Sequence, residues 1–199
     1  MKTLLIVIFN SWAIVSFAQS AKEWTKADRQ YLVDNFKRTK AEVNNETANL
    51  TSAQWNFKEA ADKWSIGQVM EHLYMWELVT LENVRYATYL GPNPEIAKLV
   101  PSDSSNTSFI YEERPHTSPD FTIPTGFITD GNNLKIFNAK CDEIIKNIET
   151  SDLNFRQHVR EGKDGYHRDM NQMYMIQFGH VDRHLRQIKR IKQHTQFPK

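Results

Sequence analysis

The stretch from Asp169 to Gln193, D-M-N-Q-M-Y-M-I-Q-F-G-H-V-D-R-H-L-R-Q-I-K-R-I-K-Q, constrains this chain more than any other. Met173, Ile176, His180, His184, Ile188 and Ile191 recur at steps of 3, 4, 4, 4 and 3, the recurrence of a single helix face. Arg183, Arg186, Lys189, Arg190 and Lys192 take the outer side of its second half, so polarity segregates as it does in an amphipathic bundle helix. His180 and His184 therefore lie one turn apart on the side predicted to face the interior. Two imidazoles in an apolar seam are destabilising unless each has a partner, either a core hydrogen bond or a shared metal ion.

Three further segments carry the same helical period. Thr25-Lys-Ala-Asp28 reads as a capped start to a helix reaching about Asn45, with Tyr31, Leu32, Phe36 and Val43 inward. Ser65 reads as the N-cap of a second helix, Ile66 to Leu90, closed by Gly91-Pro92. Its buried stripe is Ile66, Val69, Met70, Leu73, Trp76 and Val79, with His72 beside it. The third helix, Asn132 to Glu149, turns Leu134, Phe137, Cys141, Ile144, Ile145 and Ile148 inward. Trp55, Phe57 and Trp64 mark a turn packed on the bundle, and Thr150 to Tyr166 reads as a polar connection with a short hairpin around His158. Between the second and third helices, Gly91 to Gly131 holds six of the seven prolines. A connection of about 40 residues is far longer than ordinary interhelical loops and suggests a crossover, or a lid over a site. The fold class is all-α: a four-helix bundle with a long crossover connection between helices two and three.

Residues 1–18 are a different material. Lys2 precedes the apolar runs Leu4 to Phe9 and Trp12 to Phe17, and Ser16-Phe17-Ala18 offers small residues where a signal peptidase reads. This is the pattern of a secretory signal peptide cut after Ala18, and the expected location is secreted or periplasmic, with no stable membrane insertion after cleavage. Residues 19–199 then form one domain. With 25 basic against 24 acidic residues, nothing argues for nucleic acid or a membrane surface. The single cysteine, Cys141, makes no internal disulfide and is expected to be an ordinary core residue.

The segments W-S-I-G-Q-V-M-E-H-L-Y-M-W-E (Trp64 to Glu77) and F-G-H-V-D-R-H-L-R-Q-I-K-R-I (Phe178 to Ile191) together resemble the DinB-like family of metal-binding four-helix bundles. In that family a tryptophan leads into a histidine-leucine pair on helix two, and the last helix carries H-x-x-x-H-L-x-Q-I. The resemblance spans about Thr25 to Gln193 and implies that His72, His180 and His184 bind one divalent transition metal. Three imidazoles leave at least one coordination position open, which marks a reactive site, because structural zinc is usually closed by four protein ligands. Imidazole suits Zn, Ni, Fe or Cu, so ligand type does not fix the metal; zinc or nickel is the first expectation, with Fe, Mn or Cu as alternatives. Gln177, one turn before His180, and Trp76, one turn after His72, are candidates to buttress the ligands. His116, His158 and His194 are expected to be solvated, as are Glu71 and Glu77, and His167 to lie at the surface or the site mouth.

Characterised members of the family include thiol-dependent transferases and a thiol-dependent isomerase. The resemblance thus implies an enzyme acting on a small molecule through a metal-activated thiol. Such thiols are cytoplasmic, which sets this reading against the export signal and leaves hydrolysis by metal-activated water equally open. A non-catalytic metal-binding bundle is the alternative, and a fourth protein ligand, from His167 or a carboxylate, would mark it. Related bundles also pair, so a homodimer is compatible with the resemblance.

Overall fold

Each of the three long helices that frame the site's half of the chain begins at a side chain that satisfies its free N–H groups, and these caps fix where the bundle starts. The computed structural model describes residues 22–112, 117–128, 131–161 and 165–199. Helix α1 is Lys26–Thr47, where Thr25 and Asp28 cap each other reciprocally. After the short α2, Ser52–Asn56, helix α3 (Ile66–Leu90) opens on the same device, with Ser65 and Gln68 exchanging hydrogen bonds. The short helices α4 (Pro94–Ala97) and α5 (Asp103–Thr107) follow, with 3-10 turns at Ser108–Tyr111 and Asp120–Thr122. Helix α6 is Asn132–Thr150, and α7 is Met170–Lys192, whose cap Asp169 accepts from the Gln172 amide at 2.7 Å.

The long helices α1, α3, α6 and α7 make the four-helix bundle. Both α1 and α3 pack against α6 and α7, so α1 and α3 stand diagonally across it. The connection of residues 91–131 is not bare loop: its described residues fold into two short helices and two 3-10 turns, and residues 108–111 press onto α7. They come so close at Gly179 that an added Cβ would lie 3.0 Å from the Ile110 side chain. A two-stranded antiparallel ribbon, β1 (Val159–Glu161) with β2 (His167–Asp169), leads into α7. No helix among the described residues is long and apolar enough to cross a membrane. Residues 1–18, read as a signal peptide, lie outside the described residues, as does His116.

Among the described residues the interior holds, besides a small apolar cluster of Ala97, Val100 and Val159, two large ones. One gathers Leu32, Phe36, Leu81, Val84, Ile144, Tyr174 and Phe178; the other gathers Val43, Val69, Leu73, Phe137, Cys141, Val181, Leu185 and Ile188. Buried polar residues fall between them along three of the helices: Thr39 on α1, Glu77 and Thr80 on α3, Gln177 on α7. The Thr80 hydroxyl donates to Gln177 Oε1 at 3.0 Å, and the Cys141 thiol donates to Glu77 Oε1 at 2.9 Å. Burial holds the Glu77 carboxyl well above the usual carboxylate range; the Cys141 thiol and the charges of Lys140 and Lys40 pull the other way.

Several inward and outward assignments need correcting. Glu77 is fully buried and Glu71 is 4 % exposed, although both read as solvated carboxylates in the sequence. His158, also expected in solvent, is buried, with Nδ1 donating to the Asn154 carbonyl at 3.0 Å. Tyr31 turns partly outward, edge-on to Phe178, and Val33 is buried instead. The turn expected around Trp55 is the helix α2, which buries Trp55 against α3. In each case tertiary contact, invisible in local spacing, decides the side.

One buried cation fixes the start of α7. Arg156 reaches Asp28 (2.7 Å) on α1, Asp103 (2.7 Å) on α5 and the capping Asp169 (3.3 Å). Its side chain is 9 % exposed, and removing one partner of a buried charge network strands the rest. Arg156→Ala should therefore lower unfolding free energy by about 3–5 kcal/mol in urea titrations. A loss below about 1 kcal/mol, the range of exposed ion pairs, would show that the network does not hold α7 in place.

Candidate metal centre

His72 on α3 and His180 and His184 on α7 converge because α3 and α7 are direct neighbours and the two α7 rings stand one turn apart. His180 Nε2 lies 3.0 Å from His184 Nε2 and 3.3 Å from His72 Nε2. One ring nitrogen from each residue lies within 4.8 Å of the other two, and this is the group of metal-capable side chains found among the described residues. Trp64 flanks the His72 ring at 4.9 Å between centroids, and Trp76 flanks the His180 ring at 5.3 Å. Indole walls make the surroundings apolar on two sides.

The opposite edges of the rings decide what the Nε2 atoms can do. His72 Nδ1 donates to the Thr122 carbonyl at 2.7 Å, and His184 Nδ1 donates to Gln187 Oε1 at 2.8 Å. Both rings are thereby held with Nδ1 protonated, so their Nε2 lone pairs point at His180. A protonated His180 Nε2 could satisfy only one of them. With its proton on Nδ1 instead, that buried Nδ1 has no hydrogen-bond partner and three lone pairs meet. A cation at the meeting point resolves the conflict. Nitrogens around one tetrahedral zinc, each at about 2.0–2.1 Å, stand about 3.3–3.4 Å apart, close to the two separations measured from His180 Nε2. The residues present fit a divalent metal.

Electrostatics agree. Burial, with the neighbouring rings and Arg183 adding to it, holds His180 well below the ordinary imidazole range. Burial pushes His184 down to about 3, against the opposing pull of its Gln187 hydrogen bond. Burial lowers His72 too, and the Thr122 carbonyl partly offsets it. At neutral pH all three rings are therefore uncharged, the form in which imidazole can take a metal.

Gln177 and Trp76, the sequence candidates for buttressing, sit beside the trio in other roles. Gln177 Oε1 accepts from the Thr80 hydroxyl, and the Trp76 ring lies tilted against His180. The side chains and backbone that grip the ligands are Gln187 and Thr122. Gln187, three residues after His184, was readable from helical spacing; Thr122, 50 positions from His72, left no local trace. His158 lies just before β1, His167 opens β2 at the ribbon end away from α7, His194 sits tilted against Phe57, and none of them joins the trio. Arg183, placed on the outer face by its spacing, is half-buried and donates to the Glu112 carbonyl at 2.6 Å.

Fold and cluster together define a four-helix bundle with an open, three-histidine metal-type site. The sequence model of the DinB superfamily matches residues 35–188, and the chain belongs to that superfamily. The solved structure of YfiT from Bacillus subtilis superposes with a TM-score of 0.55 at 13 % identity, over 89 % of this chain and 93 % of that one. YfiT is described as a probable metal-dependent hydrolase with an unusual four-helix bundle topology. No curated protein sequence matches the chain.

The depressed histidines make the metal-stripped protein acid-sensitive. Below pH 6.5 the unfolded chain protonates its His184 while the folded one does not until about 3, so the unfolded state binds more protons and stability falls as pH falls through that window. Above 6.5 the ring contributes no slope. Urea midpoints of chelator-treated protein at pH 7, 6, 5 and 4 should therefore decline more steeply than those of His184→Gln. Each such ring can contribute up to about 1.4 kcal/mol per pH unit. Parallel pH profiles would contradict the burial of a neutral ring at 184.

Proposed function

We propose that this protein is an exported metal-dependent hydrolase that binds one divalent transition metal, zinc or nickel, through His72, His180 and His184 and acts on a small molecule. The observation that carries the reading is the convergence of three Nε2 atoms whose outer nitrogens, in two of the three rings, are already committed to acceptors. Openness supports catalysis over a bracing role. Among the described residues no fourth histidine, cysteine or carboxylate joins the trio, as a closed structural site would require. A metal bound there supplies Lewis acidity, polarising a substrate carbonyl and making water a nucleophile near neutral pH.

The chain's own groups have separate tasks. Thr122 and Gln187 hold two rings in the tautomer that presents Nε2. Trp64 and Trp76 limit water around the ligands and offer aromatic faces to an apolar part of a substrate. Arg183, one residue before His184, adds positive potential that favours neutral rings and an electron-rich substrate atom. Hydrolysis is preferred to thiol transfer because the leader-like residues 1–18 direct the chain away from cytoplasmic thiols, and because the similar bundle YfiT carries a hydrolase description.

Protein purified from the exporting cell should start at Gln19 by intact mass and hold about one equivalent of metal by elemental analysis. His180→Ala should lose that metal, and ester and amide hydrolysis by the wild type should vanish with chelator and return with zinc or nickel. Full metal content in both His180→Ala and His184→Ala would remove the site from consideration. A mass that includes residues 1–18 would remove export.

A further inference from the structure

Glu71 precedes His72 on α3, and local spacing gives no reason to bury it; yet it is 4 % exposed. Its carboxylate accepts three hydrogen bonds from one strap of the long connection. They come from the Thr125 amide at 3.2 Å, the Thr125 hydroxyl at 2.7 Å and the Gly126 amide at 2.7 Å. Gly126 sits at φ +76°, a conformation that L side chains rarely adopt, and this turn brings both amides to one carboxylate. A few residues earlier in the same strap lies Thr122, fully buried, whose carbonyl accepts from His72 Nδ1. Two consecutive residues of α3 thus grip one strap, Glu71 as acceptor at 125–126 and His72 as donor at 122.

We infer that Glu71 is a positioning residue for the metal site: by holding the strap of residues 119–127 it delivers the Thr122 carbonyl to His72 and so sets which nitrogen of that ring faces the metal. This rests on the reading of the trio as a metal site. A carboxylate that accepts several N–H and O–H bonds makes charge-assisted contacts, about twice as strong as neutral ones. The carbonyl it delivers is backbone and has no side chain to delete, so Glu71 is the handle through which its position is controlled. A metal polarises the His72 N–H and strengthens its bond to Thr122. Closing the strap and capturing the metal therefore favour each other, and coupling of this kind is reciprocal.

Zinc-loaded and chelator-stripped protein should be compared for wild type, Glu71→Ala, Glu71→Gln and Thr125→Val. Zinc affinity, read by competition with a chromophoric chelator, should fall by about 10–100-fold in Glu71→Ala, less in Glu71→Gln and least in Thr125→Val. Zinc should slow hydrogen exchange across residues 119–127 of the wild type by about 5-fold or more, and this protection should shrink in the same order. In the metal-free state, nitrogen shifts should show His72 protonated at Nδ1 in wild type and mixed between tautomers in Glu71→Ala, a change that general destabilisation would not produce. Unchanged zinc affinity together with an unchanged His72 tautomer in the Glu71 variants would overturn the role of Glu71 and leave the metal site standing. A wild type that takes no zinc overturns the metal reading instead, and the metal-free tautomer still decides the role of Glu71. Should Glu71→Ala not fold, Glu71→Gln and Thr125→Val give the same ordering.

Discussion

Three neutral imidazoles packed edge to edge inside a protein are an unstable arrangement on their own. Their nitrogens stand 3.0 and 3.3 Å apart, and two of the rings have their protons turned outward by fixed acceptors. Lone pairs facing lone pairs in a poorly hydrated setting have no compensation from water. The structure holds this conflict in place through three separate elements. Helix α7 supplies two rings at a one-turn interval, α3 supplies the third, and the strap at 122 locks it. The arrangement makes chemical sense around a cation, and it is why α3 and α7 must be neighbours.

The bundle is built to keep those neighbours in register. Reciprocal caps at Thr25 and Ser65 fix the starts of α1 and α3, and Asp169, gripped by Arg156, fixes the start of α7. Placing α1 and α3 on a diagonal obliges α7 to lie between them, against both. The long connection then has a task as well as a length. Its 108–112 portion lies on α7, with Ile110 against Gly179 and the Glu112 carbonyl at Arg183, while its 119–127 portion is fastened to α3. Two of its inner stretches thus attach to the two helices that carry the histidines.

Much of this was legible in the residues. Strong helical period, together with Ser, Thr and Asp at helix starts and Gly-Pro at an end, placed the second helix at its observed bounds and the others within two residues. The pair His180 and His184 follows from spacing alone, since one helix carries both. His72 needed the family resemblance, because nothing local says that its helix faces α7. The strap contacts, and the burial of Glu71, Glu77 and His158, were not legible. Their partners are Thr125, Cys141 and Asn154, and only the fold brings Thr125 to Glu71 or Cys141 to Glu77. A carboxylate reads as solvated until its hydrogen-bond donors are known.

The polar layer of Thr39, Glu77, Thr80 and Gln177 has a consequence for how the molecule tolerates change. It leaves the four-helix bundle with two greasy compartments instead of one continuous core, and Trp64, which flanks the His72 ring, packs on the compartment around Leu73 and Leu185. Repacking around Phe36 and Phe155 acts on side chains that share few neighbours with the ligands, and effects at such separated places tend to add independently. Sequence drift can therefore rework one storey of the building while the other keeps its chemistry, which is compatible with a bundle of this shape persisting at 13 % identity.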